Sequence, residues 1–195
     1  MTTVRGPILK RARSLGLQPS EIGVYKESHR NPSTGKKKES EYAKQLKEKQ
    51  KLKFIYGLRE KQFYLYYEKA SKMRGITGDN MLIMLERRLD NVIFRLGFAK
   101  TRAMARQEVN HAQFTVNGKV VNLPSYLVSA GDVIAVRENK KKKGNFANVN
   151  DIKAIVPKWL EADIENLSGK VTRLPVKDDI TLPVEERLIV ELYSK

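Results

Sequence analysis

Apolar positions recur every three to four residues between residues 41 and 112, and this spacing predicts a series of helices. Ser40 is a candidate N-cap for the first of them, which is rich in lysine. The second carries an aromatic stripe, and the third, strongly apolar, runs from a cap at Asp79 to Gly97. Thr101 can cap a shorter fourth helix.

The pattern changes to a period of two after residue 113, which indicates strands. The segment QFTVNGKVVNL predicts a β-hairpin around Asn117 and Gly118, because a type I′ turn needs positive φ at both central positions. The segment VIAVRE at 133–138 predicts a further strand. Helices followed by a short antiparallel sheet predict an α+β fold, with a helical N-terminal domain and a small domain of two helices packed on the sheet.

The two ends of the chain differ from the middle. Glycines and prolines interrupt the N-terminal region so often that no long helix fits, and this basic arm is either a disordered tail or a segment that RNA orders. The terminal segment EERLIVELYSK has apolar side chains that need a surface to cover. We predict an extended basic arm (1–40), a helical domain (41–78) completed by residues 160–195, a small α+β domain (79–158), and an acidic C-terminal segment (159–195) that packs on the helical domain, on a neighbouring protein, or on both.

Charge narrows the classes of partner. The chain has 38 Lys and Arg against 22 Asp and Glu, a formal net charge of +16, and a pI near 9.9. The cationic excess precedes residue 150, because residues 151–195 contain more acidic than basic side chains. The first three quarters of the chain should therefore face a polyanion.

Other classes of protein are disfavoured by composition. The chain has no cysteine and only two histidines, far apart in sequence, so we expect no disulfide, no metal site and no cofactor. No apolar run approaches the roughly 18 residues of a membrane span, and the N-terminus lacks the apolar block of a secretory signal. We expect a cytosolic protein without a membrane partner or a small-molecule substrate.

The stretch RLGFAKTRAMARQEVNH (95–111) places cations where the chain offers no evident partner. Arg102 and Arg106 lie one helical turn apart, and Lys100 precedes them. The nearest acidic residue, Glu108, falls on a different face of the predicted helix. Either these cations are solvated, or an anionic group of another molecule neutralises them.

The same region carries a specific motif. It reads R-L-D-x-x-x-x-R-L-G, then T-R-x-x-A-R-Q, V-N-G, P-S-Y-x-V and G-D, and it resembles the S-four RNA-binding domain. That domain also occurs on pseudouridine synthases, tyrosyl-tRNA synthetases and small heat-shock RNA-binding proteins. The flanking segments GPILKRARSLG, SEYAKQLKEKQKLKFIYGLREKQF and LIVELYS resemble the family of bacterial-type ribosomal proteins S four from end to end.

The resemblance implies a structural, non-enzymatic protein of the small ribosomal subunit. Members of the family bind the 5′ domain of 16S-type rRNA, join assembly early, and lie beside ribosomal protein S five near the channel through which mRNA enters, where they affect translational accuracy. The location would be the cytoplasm, or the plastid stroma for a plastid-encoded copy. One branch of the family holds its arm on a four-cysteine zinc knuckle, which this cysteine-free chain cannot form. The alternative is an RNA-modifying or heat-shock-type protein with the same module, although no catalytic constellation stands out.

An RNA site would supply the phosphate partners that the arginines lack, because guanidinium groups bind phosphate oxygens in pairs. RNA would be recognised mainly by shape. The predicted RNA-binding residues are Lys100, Thr101, Arg102, Arg106, Gln107 and Lys119, with Arg5, Lys10, Arg11, Arg13, Lys36, Lys37 and Lys38 of the arm in support.

Overall fold

The computed structural model describes residues 7–24, 39–141, 146, 152 and 154–194. The described residues form two compact units, residues 1–82 with 181–195 (unit 1) and residues 83–180 (unit 2). The α+β class is confirmed. In chain order the elements are α1 (Ile8–Leu15), α2 (Glu41–Ile55), α3 (Glu60–Ser71), α4 (Thr77–Glu86), α5 (Leu89–Arg95), α6 (Arg102–Asn110), β1 (Phe114–Val116), β2 (Lys119–Val121), β3 (Val133–Val136), α7 (Glu138–Lys141), β4 (Leu160–Asp163), β5 (Ser168–Val171) and α8 (Glu186–Tyr193), with short 3-10 turns at Pro19–Ile22 and Lys177–Asp179.

Unit 1 is built around α2, which contacts both α1 and α8. The Ser40 side chain accepts a hydrogen bond from the backbone N–H of Ala43, so the predicted N-cap is confirmed. The C-terminal helix α8 covers α2, and Gln45 donates to the Glu191 carboxylate over 3.1 Å. The apolar C-terminus therefore has its covering surface within the helical unit.

The N-terminal arm is not wholly extended. Residues 8–15 form α1, with Pro7 at its N-cap position and Gly16 in the left-handed conformation (φ 72°) at its C-cap. Glycine and proline exclude a long helix, but here they bound a short one, because proline suits the start and glycine the end. The completely buried side chain of Ala12 ties this helix into unit 1.

A network of polar groups joins α2, α3 and α8. Lys49 Nζ lies 2.6 Å from Glu60 Oε1, Lys53 Nζ lies 2.8 Å from Oε2, and the Tyr193 hydroxyl donates to Oε1 over 2.8 Å. Burial opposes ionisation of Glu60, but the three hydrogen bonds outweigh it and lower its pKa from 4.5 to about 2. Burial first, and then the neighbouring Glu60, raise the pKa of Tyr193 above its usual 10.0.

The long apolar helix predicted from Asp79 to Gly97 is two helices, α4 and α5. Asp79 lies in the first turn of α4, not at its cap. The helices break at Arg87 and Arg88 because a later loop pairs with the chain there: Arg88 forms a β-bridge with Leu127, and the N–H of Val128 donates to the carbonyl of Arg87 over 2.9 Å. A contact across about forty residues thus overrides the local helical period.

Unit 2 contains a five-stranded antiparallel sheet in the order β2-β1-β3-β5-β4. The predicted hairpin is present, with positive φ at Asn117 (50°) and Gly118 (76°). Strands β4 and β5 come from the segment that the sequence assigned to the C-terminal tail. They belong to the sheet because Trp159, Leu160 and Val171 are buried in the core of this unit. The segment GKVTRLP is strand-like in the sequence and contains most of β5, whereas the four residues of β4 are too few for their alternation to be recognised.

Candidate nucleic-acid interface

Helix α6 is positioned as the sequence predicts. The Thr101 side chain accepts a hydrogen bond from the backbone N–H of Met104 over 3.1 Å and so caps the helix. One face of the helix is open to solvent and carries Ala103, Gln107 and Asn110, with exposed Lys100 just before the cap. These side chains are therefore available to a ligand.

The structure contradicts the expected exposure of Arg102. Its side chain is buried, with 7% of the residue accessible, and its Nε donates to Asn91 Oδ1 over 2.8 Å. The guanidinium carbon lies 4.4 Å from the ring centroid of Phe94, within cation–π distance. Arg102 thus turns towards α5, and the prediction that it lacks a partner in the chain was wrong.

Arg106 also has a partner within the fold. Its Nη1 lies 3.8 Å from Asp90 Oδ2, and its side chain remains 22% exposed. Asp90 is bound more closely by Arg88, whose Nη2 lies 2.6 Å from the same oxygen. The Asp90 carboxylate is thus shared, and the exposed part of Arg106 can still meet an external anion.

Asn91 links these charges to α4. Its Nδ2 donates to the carbonyl oxygen of Glu86 over 3.0 Å and to Glu86 Oε2 over 2.8 Å. Its Oδ1 accepts the hydrogen bond from Arg102 Nε. Arg95 binds the same Glu86 carboxylate, with Nη2 2.8 Å from Oε1. This hydrogen-bonded chain of Arg95, Glu86, Asn91 and Arg102, buried except for Arg95, helps to position α6 on α5.

All four carboxylates in residues 83–137 are withdrawn from the surface. Each has a polar partner: Arg95 for Glu86, Arg88 for Asp90, the Gln113 amide for Glu108, and the Asn117 amide for Asp132. Burying a carboxylate requires such partners because an unpaired buried charge is costly. The surface of this region therefore carries positive charge without exposed acidic side chains; the buried acids are Glu86, Asp90, Glu108 and Asp132.

Charge is separated across the sheet of unit 2. Lys119 is exposed on the edge strand β2, whereas Glu161, Asp163 and Glu165 are exposed on and after the opposite edge strand β4. Four strand spacings separate these edges, about 19 Å. The positive edge and the acidic edge therefore present different electrostatic surfaces.

The predicted cations of the arm divide into two groups. Lys10 and Arg11 are exposed on α1, and the Arg11 guanidinium carbon lies 5.4 Å from the ring centroid of Phe54. Arg13 is partly buried, with Nε donating to the carbonyl of Leu9 over 3.3 Å. The remaining predicted residues of the arm lie outside the described residues: Arg5, Lys36, Lys37 and Lys38.

Asn91 and Phe94 are partners of Arg102 that the sequence did not predict. One signal was present: Asn91 directly precedes the apolar residues Val92 and Ile93, and a buried amide there needs hydrogen-bond partners. Among the described residues, no group of three or more histidines and carboxylates lies close enough to hold a metal ion. Nor does any described helix combine the length and apolarity needed to cross a bilayer.

Comparison with known proteins agrees with this arrangement. The profile of the S4 domain matches residues 87–134, and that of the ribosomal protein S4/S9 N-terminal domain matches residues 4–86. Small ribosomal subunit protein uS4 of Agathobacter rectalis is 55% identical over 197 aligned residues, and its counterpart in Lachnospira eligens is 53% identical, each over 100% of both chains. The protein of that name from Caldicellulosiruptor saccharolyticus is 59% identical over 82% of this chain and 78% of its own. The chain belongs to the family of small ribosomal subunit protein uS4.

Proposed function

We propose that the chain is a structural component of the small ribosomal subunit and binds 16S-type rRNA through the surface around α6 and β2. Family membership supports the ribosomal role. The observation that carries the RNA assignment is the burial of every carboxylate in residues 83–137, which leaves a cationic surface facing outward. Such a surface attracts a polyphosphate backbone over several ångströms and does not repel it at contact.

The residues of this surface have different roles. Lys100 and Lys119 are exposed and contact phosphates, and Gln107 offers hydrogen bonds from the open face of α6. Thr101 holds the first turn of α6, whose outward N–H groups favour an anion. Arg106 contributes its exposed portion. Arg102 is a positioning residue that acts through Asn91 and does not touch the RNA.

The experiment is a salt titration with a transcript of the 5′ domain of 16S-type rRNA. Lys100→Ala combined with Lys119→Ala should weaken binding and flatten the slope of log K against log salt by about 1.5 to 2. The matched control is Lys158→Ala with Lys170→Ala, which removes the same charge from exposed positions near the acidic edge. The control should leave the slope nearly unchanged. Equal slopes in both double variants would refute the placement of the interface.

Finer aspects of the role belong to the same proposal. Glu185, just before α8, and Glu191, on α8, have exposed acidic side chains that could contact a neighbouring protein. We propose that this neighbour is ribosomal protein S five. The chain would then join assembly early and influence accuracy near the channel through which mRNA enters. Its location would be the ribosome, in the cytoplasm of a bacterium. Recovery of the tagged protein in free fractions, and not with small subunits, would contradict the proposal.

A module-bearing RNA-modifying enzyme is not favoured by any observation. The region before the module matches a ribosomal N-terminal domain over residues 4–86. Full-length relatives that share the whole of this chain bear the name of a small-subunit protein. We therefore propose a structural role and not a catalytic one.

A further inference from the structure

The loop between β2 and β3 is held firmly against the start of α5. The N–H of Leu89 donates to the carbonyl of Tyr126 over 2.8 Å, and the N–H of Asp90 donates to the carbonyl of Pro124 over 3.2 Å. These donors belong to the first turn of α5, where backbone N–H groups have no partner within the helix. Val128 adds a third tie, because its carbonyl accepts Arg87 Nε over 2.8 Å. The loop is therefore clamped by backbone atoms.

This rigid loop presents large apolar side chains to solvent. Leu123 is 60% exposed and Tyr126 is 36% exposed, and Val120 on the adjoining strand β2 is also exposed. The hydrogen bond from Leu89 uses the backbone oxygen of Tyr126, so the phenol group of Tyr126 is not part of this contact. An exposed aromatic ring on an ordered loop can stack against a flat partner with little loss of conformational freedom.

The loop lies next to the cations of α6 through a shared neighbour. The backbone N–H of Asp90 donates to the carbonyl of Pro124 in the loop, and Oδ2 of the same residue lies 3.8 Å from Arg106 Nη1 on α6. None of the four carboxylates in residues 83–137 is exposed beside the loop to repel a phosphate. The exposed Leu123 and Tyr126 side chains of the loop therefore lie beside the cationic surface at the start of α5.

We propose that Tyr126, supported by Leu123, is a stacking site for an unpaired base of the bound RNA. A nucleotide combines a flat apolar base with a phosphate, and this is the combination of surfaces that the loop and α6 offer together. Aromatic stacking of this kind tolerates any base, because every base has a π-face. The site rests on the proposed RNA-binding function and adds a single-stranded nucleotide to what would otherwise be recognition of backbone shape.

The experiment compares three variants in binding to the purified 5′-domain transcript. Tyr126→Ala should lower affinity about 5- to 100-fold, the range for loss of one base–aromatic stack. Tyr126→Phe keeps the ring and should bind within about twofold of the unmodified protein. Tyr42→Ala is the matched control, since Tyr42 is an exposed tyrosine of unit 1, and it should bind normally. The salt slope of Tyr126→Ala should stay unchanged because no charge is removed, unlike that of the lysine variant.

A second measurement does not depend on the variants. Ultraviolet cross-linking of the unmodified complex, followed by peptide mapping, should attach RNA to the peptide that contains Tyr126.

Normal binding by Tyr126→Ala, or an equal loss in Tyr42→Ala, would overturn the stacking site even if the lysine variant behaves as expected. Normal RNA binding with poor incorporation into small subunits would also overturn it and indicate a protein neighbour at this loop. Absence of any salt-dependent RNA binding would instead refute the proposed function.

Discussion

Replacing Arg102 by alanine should destabilise unit 2, although the sequence suggests an exposed and dispensable side chain. The change removes the hydrogen bond from Nε to Asn91 Oδ1 and the contact with the Phe94 ring. It also leaves a buried acceptor on Asn91 and an unfilled space beneath α6.

The magnitude follows from these losses. A hydrogen bond that involves a charged group contributes about 1.5 to 3 kcal/mol, and a desolvated cation–π contact about 1 to 2 kcal/mol. Release of the guanidinium from burial offsets part of the sum. We expect the free energy of unfolding to fall by about 2 to 4 kcal/mol. Gln107→Ala, on the exposed face of the same helix, should change it by less than about 0.5 kcal/mol.

Urea unfolding followed by tryptophan fluorescence measures the stability of unit 2, where Arg102 lies. Trp159 is the single tryptophan of the chain and is completely buried in the core of unit 2. A double-mutant cycle with Asn91→Ala should give a coupling energy of about 1 to 2 kcal/mol for the two contacting side chains. The contrary result is a free energy of unfolding for Arg102→Ala within about 0.5 kcal/mol of that of the unmodified protein, with no coupling energy to Asn91. Arg102 would then not be held inside the fold, and a direct contact with RNA would again be its expected role.

Two further predictions concern other parts of the fold. Because hydrogen bonds lower the pKa of Glu60 to about 2, its contribution to stability should be complete above about pH 4.5 and lost as the pH falls through 2. The advantage of the unmodified protein over Glu60→Gln, measured by amide hydrogen exchange in α8, should be about 1 kcal/mol at pH 6, since the side chain is 47% exposed and solvent screens the pair; an advantage that persists at pH 2 would contradict this. Gly169→Ala should destabilise unit 2 by about 1 to 3 kcal/mol, because the added Cβ would lie 2.6 Å from a methyl carbon of Leu96. Ser168→Ala on the same strand is its control, and equal urea midpoints for the two variants would show that the site can relax.

Locally determined features were predictable. Ser40 and Thr101 cap their helices, and Asn117 with Gly118 forms the hairpin turn, because each depends on side chains and backbone within a few residues. The α+β class and the cationic surface also follow from periodicity and composition.

Tertiary structure decided the features that depend on distant partners. The break between α4 and α5 requires the loop at Leu127, and the entry of β4 into the sheet requires a core that accepts Trp159. The clearest case is Arg102. Helical spacing places it on the same face as Ala105 and Val109, three and seven residues later, yet burial depends on what lies beyond that face, and there Asn91 and Phe94 provide an acceptor and a ring. A single helix specifies which side chains share a face, but only the packed neighbour determines whether that face meets water, protein or a ligand, because desolvation and pairing energies depend on both surfaces.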